Sequence, residues 1–450
     1  MRIYKRILTV LCLMLSLSQM GRAQDKTSFS LEEAIEYALI NNQNVKNASL
    51  EVEVADRQVD EIISDGLPQV NLNADLNYNY AIQQVFLDTA DSFFPPPPNL
   101  ESDVIGFGLG VPYTSSFRLS ATQMIFDGSF FVGLKAAKTF KELSKKDHIK
   151  TNIDVAEAVS KAYYGVLVNQ ERLELIESNF ARVDSLLRDT ELLYENGMAE
   201  KIDVNRVKVQ YNNLKVEKDN YHAVLDLSRS ILKFQMGLDT KASVELTDEL
   251  SSVKFFDYQK VDDFDYNQRI EYSQLNINKE LNELDIKNIN ARYIPAINAY
   301  ANYGRNTGAL AVGDVFTNPW SNVGVVGLQL SMPIFDGLKK TRQVQQRKLK
   351  AEQLNNQFEL LEQNIDIEIQ QATASYEKQI DNIEAQKENM ELAREVYDVA
   401  KTKYEEGVGS NIEVIEADRD YKQAQTNYYN AVYDALISKV ELQKAYGVLL

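Results

Sequence analysis

Two polarity periods divide the chain. Val70, Leu72, Ala74, Leu76, Tyr78 and Tyr80 alternate with Asn71, Asn73, Asp75, Asn77 and Asn79, a period of two held for roughly the 9–11 residues that a tilted membrane-spanning strand requires. Val326, Leu328, Leu330, Met332 and Ile334 alternate in the same way with Gly327, Gln329, Ser331 and Pro333, and Phe117 to Ile125 and Ile297 to Tyr303 are weaker versions. Elsewhere the period is seven. Val159, Val166, Leu173, Phe180, Leu187 and Tyr194 form one apolar column, and Ile369, Tyr376, Ile383, Met390, Tyr397 and Tyr404 form another. Ala162, Ile176 and Val183, with Ala372, Ala393 and Ala400, supply a partial second seam. Such columns predict helices that pack as coiled coils. Each lies in a proline-free stretch of about 70 residues, Gly128 to Gly197 and Gly337 to Gly407. As a helix each stretch would be about 100 Å long, far beyond the helices of a compact domain.

The second column repeats the first at an offset of about 210 residues, and so does the punctuation. Ile125-Phe126-Asp127-Gly128 recurs as Ile334-Phe335-Asp336-Gly337, Tyr194-Glu195-Asn196-Gly197 as Tyr404-Glu405-Glu406-Gly407, and Gly237 as Gly447. This predicts one architectural unit built twice, over 24–237 and 266–450. Each copy holds a strand pair, at about 68–126 and about 295–335. The pairs are joined by turn-rich loops, Gln83 to Pro112 with Pro95 to Pro98, and Arg305 to Ser321 with Asn318-Pro319. Leu67-Pro68 and Ile294-Pro295 stand where helix must become strand. Shorter helices are expected from Ser30 to Gly66, from Gly197 to Gly237, from Asn267 to Arg292 and from Ser410 to Tyr446, two beside each long one. Ser30-Leu31-Glu32-Glu33 has the capping-box pattern for the first. The acidic, turn-rich segment 238–265 is the equatorial connector between the copies, expected to lie with both termini.

The N-terminus sets the compartment. Arg2, Lys5 and Arg6 precede an apolar run from Ile7 to Leu17 and the small-residue site Gly21-Arg22-Ala23, which reads as a secretory signal peptide over 1–23. The single cysteine, Cys12, falls inside it, so the mature chain is expected to carry no thiol, disulfide or cysteine-linked lipid. The formal net charge of −18 becomes about −22 without that segment, which argues against nucleic acid and anionic lipid head groups as partners. His148 and His222 are the only histidines and no GxxxxGK loop occurs. No catalytic, cofactor or metal constellation is expected, and both histidines read as structural. Past residue 23 no apolar stretch reaches the 18 or so residues of a spanning helix, so any crossing must use strands. Tyr78, Tyr80, Tyr113, Tyr300 and Tyr303, at or near strand ends, suit an interfacial belt. Four strands are too few to close a barrel, whose smallest members have about eight. Copies must therefore pool strands in a closed ring, with loops outside the cell and helices in the periplasm. The rival reading is a periplasmic coiled-coil scaffold with soluble β elements and no pore.

Leu67-Pro68-Gln69-Val70, Pro333-Ile334-Phe335-Asp336-Gly337, the paired tips Tyr194 to Val204 and Tyr404 to Val414, and the closing Gly237 and Gly447 together resemble the TolC-like outer-membrane efflux and type I secretion channels. The resemblance covers essentially the whole mature chain. It implies a mainly α protein with transmembrane β: a homotrimer in the outer membrane and its lipid, whose β-barrel takes four strands from each subunit and continues as a long α-helical barrel. It implies a passive duct for small molecules or proteins, docked to a periplasmic adaptor and an inner-membrane pump. Gly197, Met198, Ala199, Gly407, Val408 and Gly409 would be the adaptor-contacting tips. Asp203, Glu413 and, one turn later, Glu416 would form an acidic ring at the periplasmic entrance, and Tyr404 matches a gate position. Two of these residues carry a second reading. Ser410-Asn411-Ile412-Glu413 is also a capping box, and Tyr404 also ends a heptad column and so packs. Gly409 stands where some relatives carry an arginine, so a closing charge pair of that kind is absent.

Overall fold

The computed structural model describes residues 28–88, 104–252 and 264–450. The expected signal peptide, Pro95 to Pro98 and residues 253–263 of the connector lie outside the described residues. In chain order the elements are β1 (Ser28–Phe29), α1 (Leu31–Asn41), α2 (Gln43–Asp65), β2 (Gln69–Tyr78), β3 (Gln84–Asp88), β4 (Val104–Gly108), β5 (Tyr113–Phe126), α3 (Gly128–Glu195), α4 (Lys201–Met236), β6 (Glu245–Leu246), α5 (Ile270–Ala291), β7 (Ala296–Ala309), β8 (Ser321–Ser331), α6 (Lys339–Glu405) and α7 (Asn411–Ala445). They fall into two compact units, a helical one of 1–52, 144–275 and 356–450 and a sheet-bearing one of 53–143 and 276–355. Among the described residues no helix is long and apolar enough to cross a membrane.

The sheet is antiparallel and four-stranded, in the order β2-β5-β7-β8. Its register sorts side chains by face. Leu72, Leu119, Tyr303 and Gly324 form one row, and Val70, Ala121, Ala301 and Val326 the next. The opposite face carries Asn71, Ser120, Asn302 and Val325, and then Asp75, Ser116, Asn306 and Ser321, with the Ser116 hydroxyl donating to Asp75 Oδ2 at 3.0 Å. Period two in the sequence has become one mainly apolar and one mainly polar face, with Arg305 and Asn322 interrupting the first and Val323 and Val325 the second. Strand β8 stops at Ser331, short of the expected Ile334, and Pro333, which has no N–H to give a ladder, lies just beyond. Within the loop from Gln83 to Pro112, β3 and β4 pair antiparallel. Asp127 caps α3 by accepting the Ser129 and Phe130 N–H groups, and its counterpart Asp336 accepts the Lys340 N–H. Helix α6 starts later than expected, at Lys339, because Gly337 and Leu338 both turn through φ 67.

In the helical unit α4 packs on α3, α3 on α7, and α7 on α6. Asn169 Nδ2 donates to Ser228 Oγ at 2.7 Å, and Phe180 meets Tyr211 at 5.0 Å, between α3 and α4. Lys161 reaches Glu441, and Lys444 reaches Asp154 and Glu157, between α3 and α7. Tyr397 stacks on Tyr421 between α6 and α7. The heptad columns supply the core: Val159 and Val166 are fully buried beside Tyr163, Leu232, Met236 and Leu436. Tyr194, last in its column, is exposed.

The duplication extends to contacts. Gly237 and Gly447 follow α4 and α7 at φ 74 and 70, and a Cβ there would lie 2.5 Å from Asn41 O and 2.8 Å from Gln268 O. The next residues, Asn42 and Arg269, are extended and bind equivalent carbonyls: Asn42 Nδ2 donates to Gln235 O at 2.7 Å, and Arg269 Nη1 to Ala445 O at 3.0 Å. These contacts explain why the helix expected from Ser30 to Gly66 is two helices, and why the one expected from Asn267 begins at Ile270. The connector starts against the N-terminal strand. β6 pairs with β1, and the Asp248 carboxylate accepts the Leu31 N–H at 2.9 Å and the Tyr163 hydroxyl at 2.7 Å.

Candidate functional site

Two features carry functional weight, the edges of the sheet and the helical tips. Strands β2 and β8 are the outer strands, each unpaired on one side among the described residues. All of β2 is exposed, and Val326 and Leu328 on β8 are 83% and 74% exposed. In hydrocarbon each unpaired backbone group costs several kcal/mol, and in water such an apolar edge templates aggregation. Both edges call for further strands.

At the tips, α3 and α6 end in matching turns. Gly197 donates its N–H to Tyr194 O and Met198 to Leu193 O; Gly407 donates to Tyr404 O and Val408 to Lys403 O, all at 2.8–3.0 Å. Both glycines sit at φ 75 with nothing within 4 Å of a would-be Cβ. Conformation, not crowding, selects glycine here. Gly409 differs: its N–H binds Lys403 O at 2.9 Å, and a Cβ would fall 2.9 Å from Lys403 Cβ and 3.1 Å from its carbonyl carbon. An arginine at 409 would have to displace the end of α6.

The predicted acids separate by environment. Asp203 is half-buried; Oδ2 accepts the Glu200 N–H at 3.2 Å and Oδ1 pairs with Arg206 at 3.3 Å. Glu413 gives its N–H to Ser410 Oγ at 3.3 Å while its side chain is exposed, as is that of Glu416 one turn on. Tyr404 is half-buried in an apolar cluster with Tyr397, Val414 and Ala417, and its hydroxyl accepts from Asn411 at 3.4 Å, so packing is its visible role. Met198 and Val408 are 74% and 80% exposed, while Ala199 is half-buried.

The sequence reading passed over a cluster on α3, α6 and α7. Arg182 Nη2 lies 2.9 Å from Asp418 Oδ1, Lys422 Nζ lies 2.6 Å from Oδ2, and the guanidinium sits 4.8 Å above the Tyr397 ring and 5.2 Å from that of Tyr421. The Asp418 side chain is 2% exposed. Burial pushes the Tyr397 hydroxyl up to about 12, so it stays neutral. One turn deeper, Asn179 Nδ2 donates to Gln425 Oε1 at 3.1 Å. The signal was available: Asn411, Asp418 and Gln425 stand at seven-residue steps on a helix whose next such position is Val432, a polar column running into an apolar seam.

A two-faced sheet open at both edges, in a chain with helices of 68 and 67 residues, defines a membrane channel subunit. The chain belongs to the outer membrane efflux protein family, whose model matches residues 34–223 and 274–448. It is 21% identical over 431 residues to outer membrane protein TolC of Vibrio cholerae, covering 93% of this chain and 91% of that one. Its fold is that of the CusC channel protein, with a TM-score of 0.71 at 16% identity over 93% of this chain and 92% of that one. The outer membrane protein VceC of Vibrio cholerae gives 0.67 at 15% identity over 93% and 96%. The chain is accordingly an outer-membrane protein reaching into the periplasm, of a family of channels and not of enzymes.

Proposed function

We propose that three copies of this chain close a ring and form the passive exit duct of a tripartite efflux or type I secretion system. Each copy contributes four strands to one barrel, whose apolar face meets lipid and whose polar face lines the pore. The α-helices continue the wall as a helical barrel. The observation that carries this reading is the four-stranded sheet itself, mainly apolar on one face, mainly polar on the other and unpaired at both edges among the described residues. Material reaches the duct from an inner-membrane pump through a periplasmic adaptor, which the tips Gly197 to Ala199 and Gly407 to Gly409 contact. The exposure of Met198 and Val408 supports that role. Glu413 and Glu416 form the acidic ring at the entrance. Asp203 belongs to it more weakly, because its charge is already shared with Arg206 and a backbone N–H.

Protein extracted from outer membranes and added to planar bilayers should insert in discrete conductance steps that favour cations. Alanine at Glu413 and Glu416 together should shift permeability toward anions several-fold, and Asp203→Ala should do so less. An absence of steps would favour a pore-free scaffold, and unchanged selectivity would remove the ring from these residues.

A further inference from the structure

On β8 the apolar alternation outlasts the strand. Val326, Leu328 and Leu330 are exposed, and beyond Ser331 so are Met332 by 51%, Ile334 by 95%, Phe335 by 81% and Leu338 by 53%. The next residues are cations. Lys339, Lys340 and Arg342 open α6 with no acid in its first turn, where the helix dipole favours carboxylates. Lys340 is buried, 2.8 Å from Asp336 Oδ2 and 4.7 Å from the Tyr293 ring just past α5. That contact brings Arg292, the neighbour of Tyr293, to the level of the α6 start, with Lys287 just over one turn further down α5. Lys287, Arg292, Lys339 and Arg342 are exposed. Lys287 and Lys339 have no ion pair among the described residues; Arg342 donates to Gln345 at 2.9 Å and Arg292 to Asn288 at 3.1 Å, with Asp127 near enough to feel the Arg292 charge. The acids at hand are Asp336, held by Lys340, and Asp285, 3.3 Å from Arg347, with Glu283 and Glu352 farther along the helices.

The duplication separates these cations from the needs of the fold. Matching Leu67-Pro68 to Ile294-Pro295 puts Asp60 and Asp65 where Lys287 and Arg292 stand, and matching Gly128 to Gly337 puts Phe130, Phe131 and Gly133 where Lys339, Lys340 and Arg342 stand. The first copy builds the same junction of helix and strand with aromatics and carboxylates. The second sets exposed cations against an exposed apolar edge, in a chain whose formal net charge is −18. The remote acids count for little there, since physiological salt screens charge beyond about 8 Å.

We infer that the α5–α6 end is a contact with the periplasmic leaflet of the membrane: Ile334, Phe335 and Leu338 enter the edge of the hydrocarbon, and Lys287, Arg292, Lys339 and Arg342 hold the phosphates of anionic phospholipids. The inference rests on the proposed barrel and adds a lipid class and the residues that select it. Val326, Leu328 and Leu330 belong to the mainly apolar face of the sheet, so the exposed column runs on from the surface that meets lipid. A soluble acidic polymer would satisfy the cations but leave Ile334 and Phe335 in water, whereas a leaflet offers hydrocarbon and phosphate at adjacent depths.

Trp320 is the only tryptophan and precedes β8, at the far end of that strand. In Trp320→Phe/Phe335→Trp protein reconstituted into vesicles, phospholipid brominated along its acyl chains should quench most of the emission, and aqueous iodide should quench little. Native mass spectrometry of unaltered protein released from vesicles of equal parts phosphatidylethanolamine and phosphatidylglycerol should find the anionic lipid retained several-fold over the zwitterionic one. Arg292→Gln/Lys339→Gln/Arg342→Gln should bring that ratio close to one. Lys339→Arg/Arg342→Lys should keep it, and so should Lys135→Gln/Lys138→Gln at the junction of the first copy. Emission quenched by iodide and not by brominated lipid would put the patch in water, facing a soluble polyanion, and overturn the contact. An undiminished lipid ratio in the triple variant would overturn the role of the cations. Either result leaves the channel standing while the unaltered protein conducts. Unaltered protein that neither inserts nor conducts would defeat the barrel, and this contact with it.

Discussion

At Gly237 a side chain would meet both a left-handed backbone and a neighbouring carbonyl, whereas at Gly197 it would meet the backbone alone. Gly237→Ala should therefore destabilise the helical unit by about 2–3 kcal/mol and Gly197→Ala by about 1 kcal/mol, a ranking that thermal melts followed by circular dichroism can check. Asp418→Ala removes the partner of Arg182, whose side chain keeps 22% of its exposure. The loss should sit near the lower end of the 3–5 kcal/mol typical of a broken buried pair, roughly 3 kcal/mol. It should appear as faster hydrogen exchange in 176–190 and 411–425 with little change around 155–167. The glycines were legible in the sequence because glycine takes a helix-ending left-handed turn at the least cost. Asp418 was legible only through its seven-residue column with Asn411 and Gln425, because a charged residue on a helix otherwise reads as solvent-facing until its partner, more than 200 residues away, is known.

Among elements, the long helices and the strands were readable because each is a sustained period, and a period survives errors at single positions. Breaks were harder. Asn42 interrupts α1 and α2 through a hydrogen bond to Gln235 O, a tertiary contact with no local sign. The β3–β4 hairpin is only five residues a side, too short for alternation to stand out. Tyr163→Phe removes the hydroxyl that Asp248 and Phe29 O accept. It should free 28–31 and 245–252 to protease at a cost of about 1–3 kcal/mol. The base of the α3–α7 seam also carries a pH dependence. Burial by itself would raise Asp154 and Glu157, but hydrogen bonds from Lys150 and Lys444 to the first, and from Lys444 and Lys161 to the second, hold both below their ordinary 3.8 and 4.5. A carboxylate depressed in the folded state stabilises above its unfolded pKa and loses that contribution as pH falls through the folded value. The thermal midpoint should drop below about pH 4, and Lys444→Met should make that drop shallower.

For the molecule as a whole, what the sequence shows most clearly is an insufficiency. Four strands with open, apolar edges cannot satisfy their backbone in a membrane by themselves, and that was visible before any coordinates, from the count of period-two segments and the lack of a spanning helix. The register added what period alone could not: Val70, Leu72 and Leu119 share a face with Tyr303, Val326 and Leu328, while Asn71, Asp75, Ser116 and Ser120 share the other with Asn302 and Asn306. The acidic entrance was legible only as residue types, because whether a carboxylate faces water or caps a helix depends on which neighbour it reaches; Glu413 and Glu416 are exposed and Asp203 is engaged. The account stands on the sharing of strands between copies. Native mass spectrometry of the protein released from outer membranes in mild detergent tests it most directly: the account predicts a single species of three chains, and a stable single-chain species would contradict it.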